Sequence, residues 1–150
     1  NPDGWRYWFM HFASSYRARQ VYNDVLHDNS SQQAHFGRAG LQMLSYDPAH
    51  ENSSLYLFNA DARVDARQQL PDDIPRLVSE GGDTIGISEF YRSIYNETPA
   101  HSDDIHSAIF DNPDLEVLTP KGNQRRHPHT ITLDDTLCLK KQLSFYLPDP

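Results

Sequence analysis

The pattern of apolar and polar positions in the first sixty residues predicts a strand, a helix and two further strands. Residues 5–13 carry six large apolar side chains in nine positions, which is typical of a strand that is covered on both faces. Residues 16–29 follow two serines that offer an N-cap, and their apolar residues recur at helical spacing. The apolar positions of this helix are Ala18, Val21, Tyr22, Val25 and Leu26. Residues 41–45 and 55–57 flank a turn-rich stretch and predict two short, paired strands.

From residue 61 onwards the pattern becomes helical and acidic. Pro71 and Pro75 predict the starts of two consecutive helices, and a pair of glycines after residue 80 predicts the end of the second. A short apolar piece and two more helices follow, with candidate N-caps at Ser88 and Ser102. The residues expected to face inward on these two helices are Phe90, Tyr91, Ile94, Tyr95, Ile105, Ala108 and Ile109.

The last third predicts strands around one loop. Residues 115–120, 129–133 and 136–147 have strand patterns, and Lys121-Gly122-Asn123 has the composition of a tight turn. From residue 72 the order is therefore helix, short strand, helix, helix, strand, loop, strand, which is the order of a winged helix-turn-helix domain. The loop would be its wing.

These elements predict an α+β fold with two parts. Residues 1–60 are expected to form a short strand-helix-strand layer. Residues 61–150 are expected to form the winged helix-turn-helix domain. One hydrophobic core, or two small ones that share an interface, is what a chain of this length supports.

Charge is distributed unevenly along this acidic chain, whose formal net charge is -8. Residues 61–116 hold thirteen acidic and four basic side chains, whereas residues 117–150 hold three acidic and five basic ones. The basic residues concentrate in the expected wing, LTPKGNQRRHPHTITL. The candidate contacts to nucleic acid or to a partner are Lys121, Arg125, Arg126, His127 and His129. The alternative is that the arginines pair with acidic groups of their own chain or of a partner.

The helix that would enter the major groove has the opposite charge. Asp103 and Asp104 lie in its expected first turn and Asp111 lies near its end. Phosphates repel carboxylates, so we expect this helix to be unfit for groove recognition.

Several classes of function find no support in the composition. The single cysteine, Cys138, excludes an internal disulfide, predicts a buried thiol and favours a reducing, cytoplasmic setting. No apolar run approaches the roughly 20 residues that cross a bilayer, so no membrane contact is expected. His101 and His106 do not share a helix face, and the His127–His129 pair supplies only two ligands, so we expect no metal. No catalytic signature is present, no cofactor is expected, and enzymatic activity is left open.

Five segments resemble the C-terminal portion of the three-Cys-motif partner protein (TcmP) family. They are GWRYWFMHFASSYRARQVYNDVL, HFGRAGLQMLSYDP, LYLFNAD, ETPAHSDDIHSAI and KGNQRRHPHTI. The resemblance implies a longer bacterial or phage protein with a methyltransferase-like N-terminal region and a C-terminal winged helix. Residues 1–60 would then be the end of the methyltransferase-like sheet. It also implies a three-Cys-motif, radical-SAM-like partner protein.

The leading functional hypothesis is an accessory winged-helix module. It would position a larger nucleic-acid modification or defence protein on DNA or RNA, or on a partner protein. The alternative is a catalytic subunit or half of an S-adenosylmethionine-dependent methyltransferase, although the glycine-rich segment that would hold this cofactor is missing from the sequence. A third hypothesis, a purely structural partner domain, is favoured by the acidic helices.

Overall fold

The computed structural model describes residues 11–29, 35–36 and 55–141 of the chain. In chain order the elements are α1 (Tyr16–Asp28), β1 (His35–Phe36), β2 (Leu55–Tyr56), α2 (Ala60–Glu80), β3 (Thr84–Gly86), α3 (Ile87–Glu97), α4 (Ser102–Phe110), β4 (Leu115–Leu118), a 3₁₀ turn (Pro128–Thr130) and β5 (Thr136–Leu139). From α2 to β5 this confirms the predicted order of a winged helix-turn-helix domain.

A three-stranded antiparallel sheet closes the domain, with β5 between β3 and β4. Thr136 at the start of β5 lies opposite Gly86 on one side and Leu118 on the other. The predicted strand at 129–133 is wrong. The chain turns through the 3₁₀ turn at Pro128–Thr130 instead, where Thr130 N donates to His127 O at 3.0 Å. Strand β5 begins only at Thr136, where the chain enters the space between β3 and β4 and pairs with both.

Helix α2 is one helix of 21 residues, so the prediction of two helices divided by prolines is wrong. Pro75 has no N–H to give to Pro71 O, four residues earlier. Asn112 Nδ2 donates to that oxygen at 2.8 Å and satisfies it. The helix also has a strong reason to continue through both prolines, because a row at i, i+4 spacing is fully buried. This row is Ala66, Leu70, Ile74 and Val78.

Helices α3 and α4 form the helix-turn-helix pair. The predicted inward-facing residues of both are buried, except Tyr91, which is partly exposed. Both predicted N-caps are wrong, each by a short shift. The N-cap of α3 is Gly86 rather than Ser88, because Ile87 N already donates to the carbonyl of Asp135 at 2.9 Å. The N-cap of α4 is His101, whose Nδ1 accepts from the backbone of the first turn, and not Ser102.

Helix α1 begins after Ser15, whose hydroxyl caps it as predicted. Its predicted apolar face is confirmed at Leu26, which lies in the core, and at Tyr22, which packs against it, but is wrong at the two valines. Val21 and Val25 are exposed, while the buried residues are Asn23, Leu26 and His27. Compared with the prediction, the buried face of α1 is rotated towards Asn23 and His27. The reason is that α1 packs on the turn between α3 and α4, where backbone carbonyls need hydrogen-bond donors.

The structure tests only some of the other predictions for residues 1–60. Strand β2 confirms the predicted strand at 55–57, but its partner among the described residues is β1, with which it runs antiparallel. The predicted strand at 41–45 lies outside the described residues. So does most of the predicted strand at 5–13, of which residues 11–13 are not in a strand. Leu26, Tyr56 and Phe58 belong to the same buried cluster as the core of the winged helix.

Candidate nucleic-acid interface

Two surfaces of a helix-turn-helix domain with a wing are candidates for contact with nucleic acid. One is the second helix of the pair, which is α4 here and which in other proteins enters the major groove. The other is the loop between β4 and β5, residues 119–135, which we call the wing. The two surfaces differ sharply in charge and in accessibility.

The tip of the wing is a tight turn stabilised by backbone hydrogen bonds. Gly122 N donates to Thr119 O, and Thr119 N donates to Asn123 O, each at 2.8 Å. Pro120 suits the second position of such a turn, and Gly122 has a φ of 80°, which residues with side chains rarely adopt. The turn leaves the side chain of Lys121 exposed.

The base of the wing is held by a buried ion pair. Arg125 donates to both carboxylate oxygens of Asp135, from Nε at 2.9 Å and from Nη2 at 3.2 Å, and Thr132 N donates to the same carboxylate at 2.8 Å. The Asp135 side chain is completely buried. Burial alone raises its pKa, but the hydrogen bonds from Arg125 and Thr132 outweigh that effect and hold the pKa of Asp135 below its ordinary value. Arg125 is thus an internal ion-pair partner, which is the alternative that the sequence left open.

The remaining basic residues of the wing point into solvent. Arg126, His127 and His129 are exposed. The two imidazole rings are stacked, with centroids 5.5 Å apart and planes inclined by 11°. In the described part of the chain no ion pair involves Lys121 or Arg126. The structure therefore brings four of the five predicted contact residues to an accessible surface.

Helix α4 carries less free negative charge than the sequence indicated. Asp103 is exposed, but Asp104 is buried and takes hydrogen bonds from Arg63 Nε at 2.8 Å and Arg67 Nε at 2.7 Å. Burial raises the pKa of Asp104, and these hydrogen bonds more than reverse that, so the pKa is lowered overall. The expectation that Asp104 repels phosphates is wrong, because its charge is compensated by the two arginines of α2.

The N-terminal end of α4 is covered by α1. Asp24 of α1 accepts from Ser102 N with Oδ1 and from Ser102 Oγ with Oδ2, each at 2.8 Å. His101 Nδ1 accepts from Asp103 N at 3.0 Å and so takes a further donor of the first turn. The donors that a helix-turn-helix protein offers to a phosphate at this position are therefore occupied.

Two further side chains of α1 bind the turn between α3 and α4. Asn23 Nδ2 donates to Thr98 O at 3.0 Å, and His27 Nε2 donates to Pro99 O at 3.1 Å. Since a carbonyl oxygen only accepts, Nε2 carries the proton of His27. Nδ1 of the same ring is buried and has no hydrogen-bond partner among the residues that the structure describes. Burial lowers the pKa of His27, partly opposed by the hydrogen bond to Pro99.

A comparison with protein families agrees with this architecture. The model of the GMT-like wHTH domain family matches residues 45–122, just over half of the chain. The chain belongs to the GMT-like wHTH domain family. No curated protein and no solved structure matches the chain.

In this GMT-like wHTH protein the histidines that the structure describes do not gather into a metal site. Within the described ranges no three His, Cys, Asp or Glu side chains lie close enough to hold one ion. Nor does any helix in those ranges have the length and apolarity needed to cross a bilayer. The Cys138 thiol is buried on β5, as predicted, and burial raises its pKa.

The sequence failed to indicate the residues that cover the helix-turn-helix pair in this family member. Asn23 and His27 are spaced i, i+4 on either side of Leu26, so they share a helix face with a buried residue. This spacing is the feature of the sequence from which their burial could have been predicted. The pairing of Asp24 with Ser102, and of Arg63 with Asp104, spans 78 and 41 residues and had no local signal.

Proposed function

We propose that this chain is an accessory winged-helix module that contacts nucleic acid through its wing, while α4 stays out of the groove. The supporting observation is the accessible basic surface formed by Lys121, Arg126, His127 and His129 on a winged helix-turn-helix domain. Both Lys121 and Arg126 are free to contact phosphates, and the two imidazoles add positive charge when they are protonated.

A contact of this kind has a definite chemical character. Lysine and arginine on phosphates give affinity without sequence preference, and each contact adds about 0.9 to the slope of log affinity against log salt for duplex DNA. Asp103 and Asp24 make the α4 end of the domain unfavourable for the same polyanion. The proposed binding is therefore salt-sensitive, weakly dependent on sequence, and placed at the wing.

The test is fluorescence anisotropy with labelled duplex DNA and duplex RNA of about 20 base pairs, titrated between roughly 50 and 200 mM salt. Replacing Lys121 and Arg126 together by alanine should lower the salt slope by about two units. The matched control replaces Lys140 and Lys141, which lie at the opposite end of β5 from the wing and carry the same charge. Equal effects of the two double variants, or no salt-sensitive binding, would contradict a role for the wing.

The wider context of the module forms part of the proposal. The resemblance to three-Cys-motif partner proteins suggests that the winged helix, residues 61–150, positions a larger modification or defence protein on nucleic acid or on a three-Cys-motif partner. Co-purification of the natural full-length protein with a neighbouring gene product tests the partner. If the module is positioned only on a partner protein, the Lys121 and Arg126 double variant should function in the cell as the unchanged protein does.

The alternative, a part of an S-adenosylmethionine-dependent methyltransferase, gains nothing from the family match. It stays a prediction of the sequence resemblance. Calorimetry of the chain with S-adenosylmethionine tests it directly, because a cofactor site within these 150 residues would give saturable heat.

A further inference from the structure

The wing carries a pair of parallel rings that take no part in the core. The imidazoles of His127 and His129 are inclined by only 11°, their centroids are 5.5 Å apart, and both residues are exposed. Every other ring pair between described residues includes a ring that is buried or partly buried. In the part of the chain that the structure describes, neither imidazole takes part in a hydrogen bond or an ion pair. Both rings are therefore open to a ligand.

The backbone of the wing fixes the two rings in this arrangement. Pro128 lies between the histidines and begins the 3₁₀ turn. Thr130 N donates to His127 O at 3.0 Å, and the Thr130 hydroxyl donates to the same oxygen at 2.7 Å. Ile131 N donates to Pro128 O at 3.1 Å, and the Ile131 side chain packs against the hydrophobic core. Rings on an anchored turn lose little conformational entropy when a ligand binds, which favours affinity.

Parallel rings beside cationic side chains match the chemistry of an unpaired base in a nucleic-acid strand. Histidine is among the aromatic residues on which unpaired bases stack, and arginine or lysine binds the phosphates of the strand. Arg126 directly precedes His127 and is exposed. Insertion of a base between two rings requires two stacking distances, about 7 Å in all. The imidazole centroids are only 5.5 Å apart, so a base can stack on an outer face of the pair but not within it.

We propose that His127 and His129 form a stacking platform for unpaired bases, so that the wing prefers nucleic acid with a single-stranded segment to a continuous duplex. The inference rests on the proposed function, since Lys121 and Arg126 bind the phosphates of the same nucleic acid. The phosphate contacts act on any nucleic acid, whereas the platform adds affinity only where a base is unpaired. Every base has a face that can stack, so the preference is for strand structure and not for sequence.

Three labelled DNA ligands separate base stacking from phosphate contacts in fluorescence anisotropy with the full chain. They are a blunt duplex of about 20 base pairs, the same duplex with a single-stranded overhang of about ten nucleotides, and that duplex with an overhang of abasic nucleotides. The two overhangs carry the same number of phosphates, but only one carries bases. A base stacked on an aromatic ring typically contributes about fivefold or more to affinity. The unchanged chain should therefore bind the overhang with bases about five- to tenfold more tightly than the abasic one.

Paired variants of the two histidines test the platform itself. His127→Gln with His129→Gln removes both rings and should abolish the difference in affinity between the two overhangs. His127→Phe with His129→Phe keeps two rings that carry no charge and should retain this difference. The side chain of His127 makes no capping hydrogen bond, so both variants should fold, which circular dichroism checks. The matched control is Leu133→Gln, at an exposed apolar residue of the same loop that has no ring, and it should leave the difference unchanged.

The possible outcomes separate the platform from the phosphate contacts. Equal affinity of the unchanged chain for the two overhangs would overturn the platform, and so would a difference that survives the glutamine pair. Loss of the difference in the phenylalanine pair, or in Leu133→Gln, would overturn stacking on the rings as its cause. These results leave the proposed function intact if replacing Lys121 and Arg126 still lowers the salt slope for the blunt duplex. A salt slope that ignores Lys121 and Arg126 would overturn the proposed role of the wing instead.

Discussion

Arg125 and Arg126 are neighbours with the same side chain, yet we expect their loss to have very different consequences. Arg125 is held by two hydrogen bonds to Asp135, whereas Arg126 is exposed. Arg125→Ala should destabilise the protein strongly, so any loss of binding in this variant would reflect unfolding and not a lost contact with nucleic acid. Arg126→Ala should leave stability unchanged and should weaken binding of nucleic acid.

The magnitude follows from the burial of the partner. The Asp135 side chain is 0% exposed, while that of Arg125 is 27% exposed. Removing Arg125 leaves a buried carboxylate whose remaining hydrogen bonds come from Thr132, and breaking a buried pair in this way typically costs about 3–5 kcal/mol. Exposed substitutions usually stay within about 0.5 kcal/mol. For a chain of this size the first change should lower the midpoint of thermal unfolding by roughly 6–20 °C.

Urea unfolding of the two single variants, followed by circular dichroism, measures this difference. Adding Asp135→Asn to the Arg125→Ala chain should restore part of the loss, because the remaining buried group is then neutral. The pH dependence gives a second check. The pKa of Asp135 is lowered by folding, so its contribution is complete above about pH 4, the ordinary pKa, and is lost as the pH falls through the folded value. Equal stability of Arg125→Ala and Arg126→Ala near neutral pH would refute the argument.

Two further predictions concern the helices. Asp104→Ala should cost roughly 2–3 kcal/mol in urea unfolding, because it leaves Arg63 without its buried partner, while Asp103→Ala, at a side chain that is 76% exposed, should cost less than about 1 kcal/mol. The groups that face His27 from the packed elements are Tyr56, Arg63, His101 and Asp104. Packing of α1 on the turn between α3 and α4 lowers the pKa of His27, so the neutral ring contributes fully to this packing above about pH 6.5, the ordinary pKa, and less below it. Amide exchange of α1 should therefore accelerate as the pH falls, after correction for intrinsic rates. His27→Gln should flatten this pH dependence.

The order of elements could be predicted from the sequence because local patterns determine it. The inward faces of α3 and α4 follow from helical spacing, and the turn at Lys121-Gly122-Asn123 follows from its composition. The prolines of α2 misled the prediction. The oxygen that Pro75 leaves free is satisfied by Asn112, which lies 41 residues from Pro71 and could not be identified as its partner.

The candidate site could be predicted only in part, because long-range pairing determines which charges are free. Five basic or histidine residues in one loop were visible, but nothing local distinguishes Arg125 from Arg126. The distinction depends on Asp135, which reaches only one of the two when the wing folds back onto β5. Likewise the compensation of Asp104 depends on two arginines of another helix. The hydrophobic pattern of α1 was misleading in part, since Leu26 packs in the core but Asn23 and His27 beside it bind backbone carbonyls.

These pairings also explain how a chain of net charge -8 is compatible with the proposed contact of a polyanion at the wing. At physiological salt, charges more than about 8 Å apart are largely screened, so a phosphate at the wing responds to nearby groups and only weakly to the total charge. Within the wing, Asp135 is paired with Arg125 and Asp134 is exposed, and no ion pair among the described residues involves Lys121 or Arg126. Asp24 and Asp103, by contrast, lie beside the start of α4. The pair of Arg125 and Asp135 therefore holds the base of the wing, while Lys121 and Arg126 keep their charges exposed on its surface.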